Sequence, residues 1–516
     1  MGLLLGVDAG TTALKAGLFD EAGRQIAVTA EEYALCTPEP ARAELDPETY
    51  WRATVAAVRR VLGTAGVRGS DVRALAVSSQ GETVIPVRAD GRPVGPAIVW
   101  LDNRAVEEAR ELGERFDPAT LYAATGVPAL VPTWTACKLL WWQRNDRGLF
   151  DRAARFLLVE DFLLQRFTGR FATDGGVQCT TLLYDIVART WWEPMLDCIG
   201  LGVDRLGELV APGEVVGTLT PSAADALGLA PSVLVVAGGM DQGAGAVGVG
   251  NVGPGIVSES TGGALTIQAS VDRHGGDPGA QTPVYVHSAS GLYLYCPVSP
   301  TGGMALTWFR DRFGEPEVSR ARELGRDAYE LLTELAAAAP PGADGLTMLP
   351  HLQGAFSPEY EPAARGAFYG LTLAHGRAHA VRAILESVAF MLRRNLEALA
   401  GAGAAANEVR SHGGGARSAL WNQMKADVCG LPVVTLEGSD AAIRGDAMLA
   451  GVAVGAFPDL GEAARRLIRV AARFEPDART RAAYDEAYGR YVELFDALRP
   501  MYRWTGVRPG VGNQTA

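Results

Sequence analysis

The sequence predicts an α/β protein whose two halves are built alike. Short apolar runs that end in small polar residues and glycine, such as LLLGVDAGTT at 3–12, are typical of buried strands that enter tight turns. Helix-like stretches separate these runs, and alternating strands and helices favour an α/β architecture. The same pattern restarts in NVGPGIVSESTGGALTI at 251–267, so we expect a domain boundary near 245–255. The 516 residues are enough for two or three domains.

Composition and charge exclude several classes of protein. An apolar content of 48% with 21% charged residues is typical of a globular chain. The net charge of -12 disfavours nucleic-acid binding, which normally needs a basic surface. The chain has no long uncharged apolar stretch that predicts a membrane span, and its start lacks the basic region of a signal peptide. The six cysteines are scattered, which predicts reduced thiols. We therefore expect a cytoplasmic protein with neither a nucleic-acid nor a membrane partner.

The elements of the first half can be assigned in order. The opening run predicts a strand, a tight turn and a second strand. DPETYWRATVAAVRRVLGTAG then predicts a helix with Asp46 as its N-cap that ends at Gly63 or Gly66. The apolar runs at 72–81 and 230–241 each predict a buried strand that enters a glycine-containing turn.

The second half is richer in helices. Its pattern predicts two long helices over 321–339 and 377–402 and a shorter one over 419–429. The final stretch, RTRAAYDEAYGRYVELFDALRPMYRW, is amphipathic and predicts a terminal helix that packs on the core.

DAGTTALKAGLFD at 8–20 is the first segment with chemical content. Backbone N–H groups and the hydroxyls of Thr11 and Thr12 would surround a concavity that suits a phosphate. Asp8, at the end of the strand, could hold Mg²⁺ or a water bound to it. The alternative is a plain β-hairpin in which Gly10 supplies a positive φ.

Two glycine-rich turns follow in the second half. STGG at 260–263 repeats the small polar turn of the first segment, although such a turn alone is usually structural. HGGGARSALWNQMKADVCG at 412–430 places three glycines between a strand and a helix, where backbone can approach a flat ligand or a phosphate closely. The alternative is a tight strand-to-helix connection.

Polar residues also follow the predicted strand at 72–81. Gln80 and Glu82 lie at its carboxyl end, where ligands bind in open parallel sheets, and their oxygens suit the hydroxyl groups of a polyol. Trp100 and Asp102 in IVWLDNR could contribute to the same site. The alternative is that Asp102 and Arg104 form a surface pair while Trp100 is core.

VVAGGMDQGAGAVGVG at 235–250 contains one carboxylate, Asp241. The glycine spacing that follows it resembles a dinucleotide loop, with glycines at 243, 245 and 248. Such a loop needs an acid about 20 residues further on. The next acid is Glu259, only eleven residues past Gly248, which disfavours a dinucleotide loop, and the small residues instead indicate a tight strand-to-helix turn that allows close helix packing.

In this order and spacing the motifs resemble the FGGY family of carbohydrate kinases, over about residues 3–500. DAGTTALKAGLFD is similar to the family's first phosphate segment and GGGARSALWNQMKAD to its adenosine segment. SESTGGAL stands where the second phosphate segment normally reads close to Gly-Thr-Ser-Gly. GAFYGLTLAHGRAHAVRAILE fits the carboxy-terminal signature except at Ala380, and TWTACKLLWWQRN is a looser version of the other signature, with Thr133 and Trp142 off pattern.

The resemblance implies an actin-like ATPase fold of the ribonuclease H type, with a catalytic cleft between two α/β domains. Residues 1–248 would bind the sugar and form the first phosphate segment, residues 249–505 would bind ATP, and residues 506–516 would be a tail. The implied reaction is ATP-dependent phosphorylation of a sugar hydroxyl with Mg²⁺. A homodimer would also fit the family.

The resemblance also implies residue roles. Asp241 would accept the hydroxyl proton and, with Asp8, hold the metal. The implied ATP site consists of Thr11, Thr12, Lys15, Thr261, Gly262, Gly414, Gly415 and Ala416. The implied acceptor site consists of Gln80, Gly81, Glu82, Trp100, Asp102, Thr133, Asp241 and Gln242.

The substrate can be narrowed by comparing single positions within the family. Glycerol kinases carry an Arg-Glu pair and a Tyr where this chain has Gly81, Glu82 and Thr133, which predicts a wider pocket. Xylulokinases carry Met-His at the first two of these positions but are similar around AIVWLDNR. We expect a ketopentose such as xylulose, or a related polyol or sugar acid, with glycerol as the alternative acceptor. The alternatives from another class are a non-catalytic actin-like ATPase and a degenerate regulatory kinase.

Overall fold

The computed structural model describes residues 2–274, 282–438 and 440–503. The tail expected at 506–516 lies outside these residues. The strands of the first half are β1 Leu3–Ala9, β2 Ala13–Asp20, β3 Gln25–Glu32, β4 Glu44–Leu45, β5 Val72–Ser79, β6 Ile85–Val87, β7 Ala97–Ile98, β8 Arg155–Leu157, β9 Ala172–Asp174, β10 Tyr184–Asp185, β11 Thr190–Trp191, β12 Glu208–Val210, β13 Val215–Thr218 and β14 Leu234–Met240. Its helices are α1 Glu48–Ala65, α2 Val106–Arg115, α3 Pro118–Thr125, α4 Thr135–Asn145, α5 Arg147–Arg152, α6 Val159–Thr168, α7 Gly175–Gln178, α8 Glu193–Ile199, α9 Pro221–Leu227 and α10 Asp241–Gly248.

The second half continues the alternation. Its strands are β15 Ile256–Thr261, β16 Leu265–Val271, β17 Val284–Val286, β18 Tyr293–Tyr295, β19 Val298–Ser299, β20 Thr347–Leu349, β21 Ala367–Tyr369, β22 Glu408–His412, β23 Val433–Leu436 and β24 Val470–Phe474. Its helices are α11 Met304–Phe313, α12 Glu315–Leu324, α13 Ala328–Ala337, α14 Arg377–Gly401, α15 Ala419–Cys429, α16 Ala441–Ala453, α17 Leu460–Leu467 and α18 Arg481–Tyr502.

Each half is organised around one large sheet. In the first, the strand order is β13-β14-β5-β1-β2-β3, and β1 pairs antiparallel with β2 and parallel with β5. In the second, the order is β17-β18-β16-β15-β22-β23-β24, and β15 pairs antiparallel with β16 and parallel with β22. The hairpin that the repeated sequence pattern predicted at the start of each half is therefore present, and it lies inside the large sheet in both cases.

The helix predictions are confirmed with small corrections. Helix α1 ends at Gly66, which adopts a left-handed φ of 65°, so Gly63 lies within the helix. Asp46 accepts a hydrogen bond from the Glu48 amide at 3.1 Å, although Pro47 is the N-cap. The single helix predicted over 321–339 is wrong, because left-handed Gly325 (φ 63°) separates α12 from α13.

The glycines after Asp241 allow two helices to cross closely. Helix α10 packs against α16, which belongs to the second half of the sequence but lies on the first sheet beside β1 and β5. A Cβ atom on Gly248 would lie 1.8 Å from the Ala441 carbonyl oxygen, and one on Gly445 would lie 1.9 Å from the Ala244 carbonyl oxygen. These distances leave no room for a side chain, so the glycines are required for packing, as the sequence suggested.

All six cysteines are free. Among the residues that the structure describes, no helix is both long and apolar enough to cross a membrane.

Candidate active site

A cleft of about 250 Å³ lies where the two central hairpins face each other. It is lined by Asp8, Lys15, Asp241, Gln242, Gly245, Ser260, Thr266, Gln268, His412, Asp440, Ala441, Ala442 and Ile443. The first four of these residues were predicted from the sequence. The fold therefore brings Asp8, Lys15, Asp241 and Gln242 into one cavity, whereas the other residues predicted for the phosphate site, Thr11, Thr12, Thr261 and Gly262, are not among those that line it.

Asp241 is the first residue of α10 and follows the end of β14 directly. The backbone bends just before it, where Gly239 adopts a φ of 80°. Burial in the cleft, together with the negative charges of Asp8 and Glu82, raises the pKa of Asp241 to about 8, against an opposing hydrogen bond from the Gln242 amide. A carboxyl group that titrates near neutral pH is suited to accept a proton during a reaction.

Asp8 lies near the end of β1, opposite Lys15 on β2. Burial raises the pKa of Asp8 to about 6, although Lys15 and the Ser78 hydroxyl, 3.4 Å away, favour its ionised form. Two mutually repelling carboxylates in a polar cleft fit Mg²⁺, which typically takes one or two protein carboxylates together with substrate phosphates. No cluster of three or more histidine, cysteine or acidic residues able to hold a metal occurs among the described residues, so substrate oxygens would have to complete such a site.

The first phosphate turn is held by contacts from outside the hairpin. Lys15 forms an ion pair with Asp440, just before α16, at 2.8 Å. The indole of Trp100 donates a hydrogen bond to the Thr11 hydroxyl at 2.8 Å and is 36% exposed, so the expectation that Trp100 could be core is wrong. Gly10 does not adopt the positive φ that the plain-hairpin alternative assumed. Thr12 is exposed in the same turn.

Gln80 and Glu82 lie at the carboxyl end of β5, as predicted. The side-chain amide nitrogen of Gln80 donates to the Tyr50 hydroxyl at 2.7 Å, while the buried Oε1 atom of the same side chain has no donor. Glu82 adopts a φ of 53°. Burial raises the pKa of its carboxyl group to about 7, against the opposing charge of Lys138. The ammonium group of Lys138, which the sequence analysis missed, donates to the Glu82 and Val99 carbonyl oxygens at 3.1 Å each.

Three predicted acceptor residues need revision or remain untested. Asp102 is fully buried, and its carboxylate accepts hydrogen bonds from the Ala43 amide and from Arg104, so it fixes the loop and is not available to a ligand. The alternative of a surface pair is also wrong, because the Arg104 side chain is only 6% exposed. At Gly81, a Cβ atom would lie 2.7 Å from the Thr180 hydroxyl oxygen. The space expected to widen the pocket there is therefore filled. Thr133 is half-buried in the loop before α4 and stays a prediction.

The second phosphate turn is built around a buried ion pair that sequence reasoning missed. Lys425 and Glu259 are both fully buried, with 2.5 Å between Nζ and Oε1. The Thr261 hydroxyl donates to Glu259 at 2.8 Å and accepts from Lys425 at 3.0 Å. Because this hydroxyl proton is engaged inside the protein, Thr261 cannot donate it to a phosphate in this arrangement. The exposed turn residues are Gly262 and Gly263.

The predicted adenosine segment packs directly on this turn. Gly413 adopts a φ of 78°, and a short 3-10 turn over Gly414–Arg417 leads to α15. A Cβ atom on Gly415 would lie 2.7 Å from the Cβ atom of Thr261. The Ala416 carbonyl oxygen accepts from the Asn422 side chain at 2.8 Å. The glycines therefore bring the adenosine segment against the second phosphate turn, although the two are far apart in sequence.

Comparisons with known proteins agree with this geometry. The sequence pattern of the FGGY family of carbohydrate kinases matches residues 3–248 with its N-terminal domain and residues 268–454 with its C-terminal domain. Xylulose kinase of Bacillus subtilis is 30% identical over 505 residues, which cover 98% of this chain and 97% of that protein. Gluconokinase of Bacillus subtilis is 28% identical over 500 residues, which cover 97% and 96%. The crystal structure of xylulose kinase from Rhodospirillum rubrum is 29% identical, covers 97% of this chain and 100% of that chain, and superposes with a TM-score of 0.88.

The family match spans both halves, and the structural match spans nearly the whole chain. The chain belongs to the FGGY family of carbohydrate kinases, has the actin-like ATPase fold, and is an ATP-dependent sugar kinase.

Proposed function

We propose that this kinase phosphorylates a ketopentose such as xylulose, or a related polyol or sugar acid. The observation that carries the proposal is the placement of Asp241 and Gln242 in the cleft at the end of β14, which pairs with β5, the strand followed by Gln80 and Glu82. Carboxylate and amide oxygens are good acceptors for the hydroxyl groups of a polyol. The names of the relatives, xylulose kinase and gluconokinase, agree with an acceptor of this class.

In the proposed reaction, Asp241 accepts the proton of the acceptor hydroxyl as its oxygen bonds to the γ-phosphorus of ATP. The bond between that phosphorus and the β–γ bridging oxygen breaks, and ADP leaves. Mg²⁺ bound by Asp8 and Asp241 would neutralise charge on the phosphate oxygens. Lys15 supplies a further positive charge on the same side of the cleft.

We assign the acceptor site to residues 1–248 and the nucleotide site to residues 249–505. Gln80, Glu82 and Gln242 would bind the acceptor, with Trp100 beside the first phosphate turn. Backbone groups at Gly262 and Gly263 would bind the phosphate chain, since both glycines are exposed at the turn. Gly414, Gly415 and Ala416 would face the adenosine.

Glycerol is the second candidate acceptor. Its support is the position of Thr180, which fills the space beside Gly81 and makes the pocket narrower there than the sequence suggested.

The test is ATP consumption by the purified protein with a panel of ketoses, polyols, aldonates and glycerol. Asp241→Asn should lower the rate with the preferred acceptor by about 10²–10⁴-fold, because the proton acceptor is lost. Asp225→Asn, an exposed change on α9, is the matched control and should leave the rate unchanged. A preference for glycerol over every five- and six-carbon compound would overturn the ketopentose proposal. ATP turnover that needs no acceptor would favour a non-kinase ATPase.

A further inference from the structure

A second pair of buried carboxyl groups lies behind the turn that presents Asp241. Glu160 is near the start of α6 and Asp174 is the last residue of β9, and both are fully buried. Neither residue lines the cleft. A buried acid normally requires hydrogen-bond partners, so the contacts of each oxygen indicate its role.

Glu160 binds the backbone of the turn directly. Its Oε1 atom accepts hydrogen bonds from the amides of Gly238 and Gly239 at 2.8 and 2.9 Å. These amides lie where the pairing of β14 with β5 shifts register, between Ala237 and Gly239. Asp241 follows two residues later. One oxygen of Glu160 therefore stabilises the backbone bend from which Asp241 enters the cleft.

The same residue also contacts the neighbouring strand. The Glu160 amide donates to the Ser79 hydroxyl at 3.1 Å, and Ser79 precedes Gln80 at the end of β5. Glu160 thus links the carboxyl ends of β5 and β14, the two strands that carry the predicted acceptor-site residues Gln80 and Asp241.

Asp174 stabilises a second turn, which packs against the Gly238–Gly239 bend. Its Oδ1 atom accepts from the amides of Gly176 and Val177 at 2.7 and 3.1 Å. A Cβ atom on Gly176 would lie 3.3 Å from the Cα atom of Gly239, so this turn packs against the bend. The remaining oxygens, Glu160 Oε2 and Asp174 Oδ2, are buried without a donor. The Asp174 and Glu160 side chains lie within hydrogen-bond reach of each other, and because two buried carboxylates this close repel each other, one proton held between them would satisfy both.

We propose that Glu160 is a positioning residue for Asp241. Glu160 holds the Gly238–Gly239 bend, and Asp174 is the hydrogen-bond partner of Glu160. The proposal rests on the proposed role of Asp241 as proton acceptor. In it, Glu160 touches neither the sugar nor ATP. Its carboxyl group needs one oxygen to accept from two amides and one hydrogen to give to Asp174, and a glutamine amide can provide both.

This requirement separates three variants. Glu160→Gln should keep kcat within about threefold of wild type, because the amide reproduces every hydrogen bond. Glu160→Leu leaves the two glycine amides without an acceptor and should lower kcat by about 10²-fold, since displacements near 1 Å have such effects. Glu160→Asp keeps the carboxyl group but is one methylene shorter, and it should lower kcat by about tenfold or more. The KM for ATP should change little in all three.

Asp161→Leu is the matched control. Asp161 is the next residue of α6, is fully buried, and accepts from the Leu158 amide at 2.8 Å without contacting the glycine bend. This variant should lower the thermal midpoint but leave kcat of the folded protein within about threefold of wild type. If Glu160→Leu does not fold, the kcat values of Glu160→Asp and Glu160→Gln still test whether Glu160 positions Asp241. The proposal is overturned if Glu160→Gln loses as much activity as Glu160→Asp, or if Glu160→Asp is as active as wild type.

Hydrogen exchange of residues 234–248 provides a readout that needs no sugar. Exchange in this segment should be faster than wild type in Glu160→Asp and Glu160→Leu and unchanged in Glu160→Gln. Unchanged exchange in the Asp variant would overturn the proposal. If the wild-type protein phosphorylates no sugar, the proposed function fails while the exchange result still decides whether Glu160 holds the bend.

Discussion

The hairpins at the centres of the two sheets occupy equivalent places but present different chemistry to the cleft. In the first, the cross-strand pair that lines the cleft is Asp8 and Lys15; in the second it is Ser260 and Thr266. One half therefore supplies charges of both signs, and the other supplies neutral hydroxyl groups and two exposed glycines. The same backbone motif thus presents two charged side chains to the cleft in one half and two neutral hydroxyl groups in the other.

The second hairpin also contains an acid, but it points the other way. Successive strand residues face opposite sides of a sheet, so Ser260 faces the cleft while Glu259 faces the interior. There Glu259 meets Lys425, which is equally buried. The acid before the glycine turn therefore faces the cleft in one half and a buried lysine in the other, and the face of the strand decides which.

Breaking the buried pair should have the largest effect. Lys425→Met leaves Glu259 as an uncompensated charge in the interior and should lower the free energy of unfolding by roughly 3–5 kcal/mol. Combining it with Glu259→Gln removes both charges and should restore stability close to wild type. Urea unfolding of the two variants measures the difference. A cost below about 1 kcal/mol for Lys425→Met would contradict a structural role for the pair.

The cleft-facing pairs should differ in their effect on activity. Asp8→Asn should lower kcat by more than about 100-fold, because loss of groups that only support a metal ligand already costs 10–100-fold. Ser260→Ala, at the equivalent place, removes one neutral hydrogen bond and should cost less than about tenfold. Steady-state rates at saturating ATP and Mg²⁺ compare them. Equal losses would mean that the two hairpins contribute alike.

Much of this comparison could be predicted from the sequence. Strand runs that end in GVDAGTT and SESTGGAL indicated the two hairpins, and the small residues after Asp241 indicated close helix packing. The inward orientation of Thr261 could not be predicted, because it depends on Lys425, 164 residues further along the chain. Asp102 was misassigned because a carboxylate in a loop near a site looks the same in sequence whether its partner is a ligand or the Ala43 amide. Glu160 gave no signal, since only the fold places it beside Gly238.

The acids of the two hairpins should respond to pH in opposite directions. Burial raises the pKa of Asp8 to about 6, so the folded state loses stability as pH rises from about 4, where the unfolded carboxyl ionises, to about 6. Burial of Glu259 would raise its pKa, but Lys425 and hydrogen bonds from Ser411 and Thr261 lower it. Its stabilisation is present above about pH 4.3 and is lost as pH falls through the lowered pKa.

Thermal unfolding without ATP or Mg²⁺ tests this contrast. Relative to wild type, Asp8→Asn should gain stability between about pH 4 and pH 6. The neutral double variant, Glu259→Gln with Lys425→Met, should gain stability relative to wild type only below about pH 4. If the stability of the two variants depended on pH in the same way, a raised pKa for Asp8 and a lowered pKa for Glu259 would be contradicted.

The smallest expected effect concerns the ion pair of the first hairpin, which has no equivalent at Thr266. Lys15 and Asp440 are 2.8 Å apart, with side chains 42% and 18% exposed, so the pair should contribute no more than about 1 kcal/mol to stability. Asp440→Asn removes a negative charge that opposes ATP and releases Lys15 toward the phosphates. The KM for ATP should therefore fall by up to about fivefold, and the difference should shrink as salt is raised, because exposed charges are screened. Lys15→Met should raise the same KM. A higher KM for ATP in Asp440→Asn would instead mean that Asp440 orients Lys15 toward the nucleotide. The first hairpin would then depend on Asp440, which directly precedes α16, to hold the Lys15 ammonium group in place.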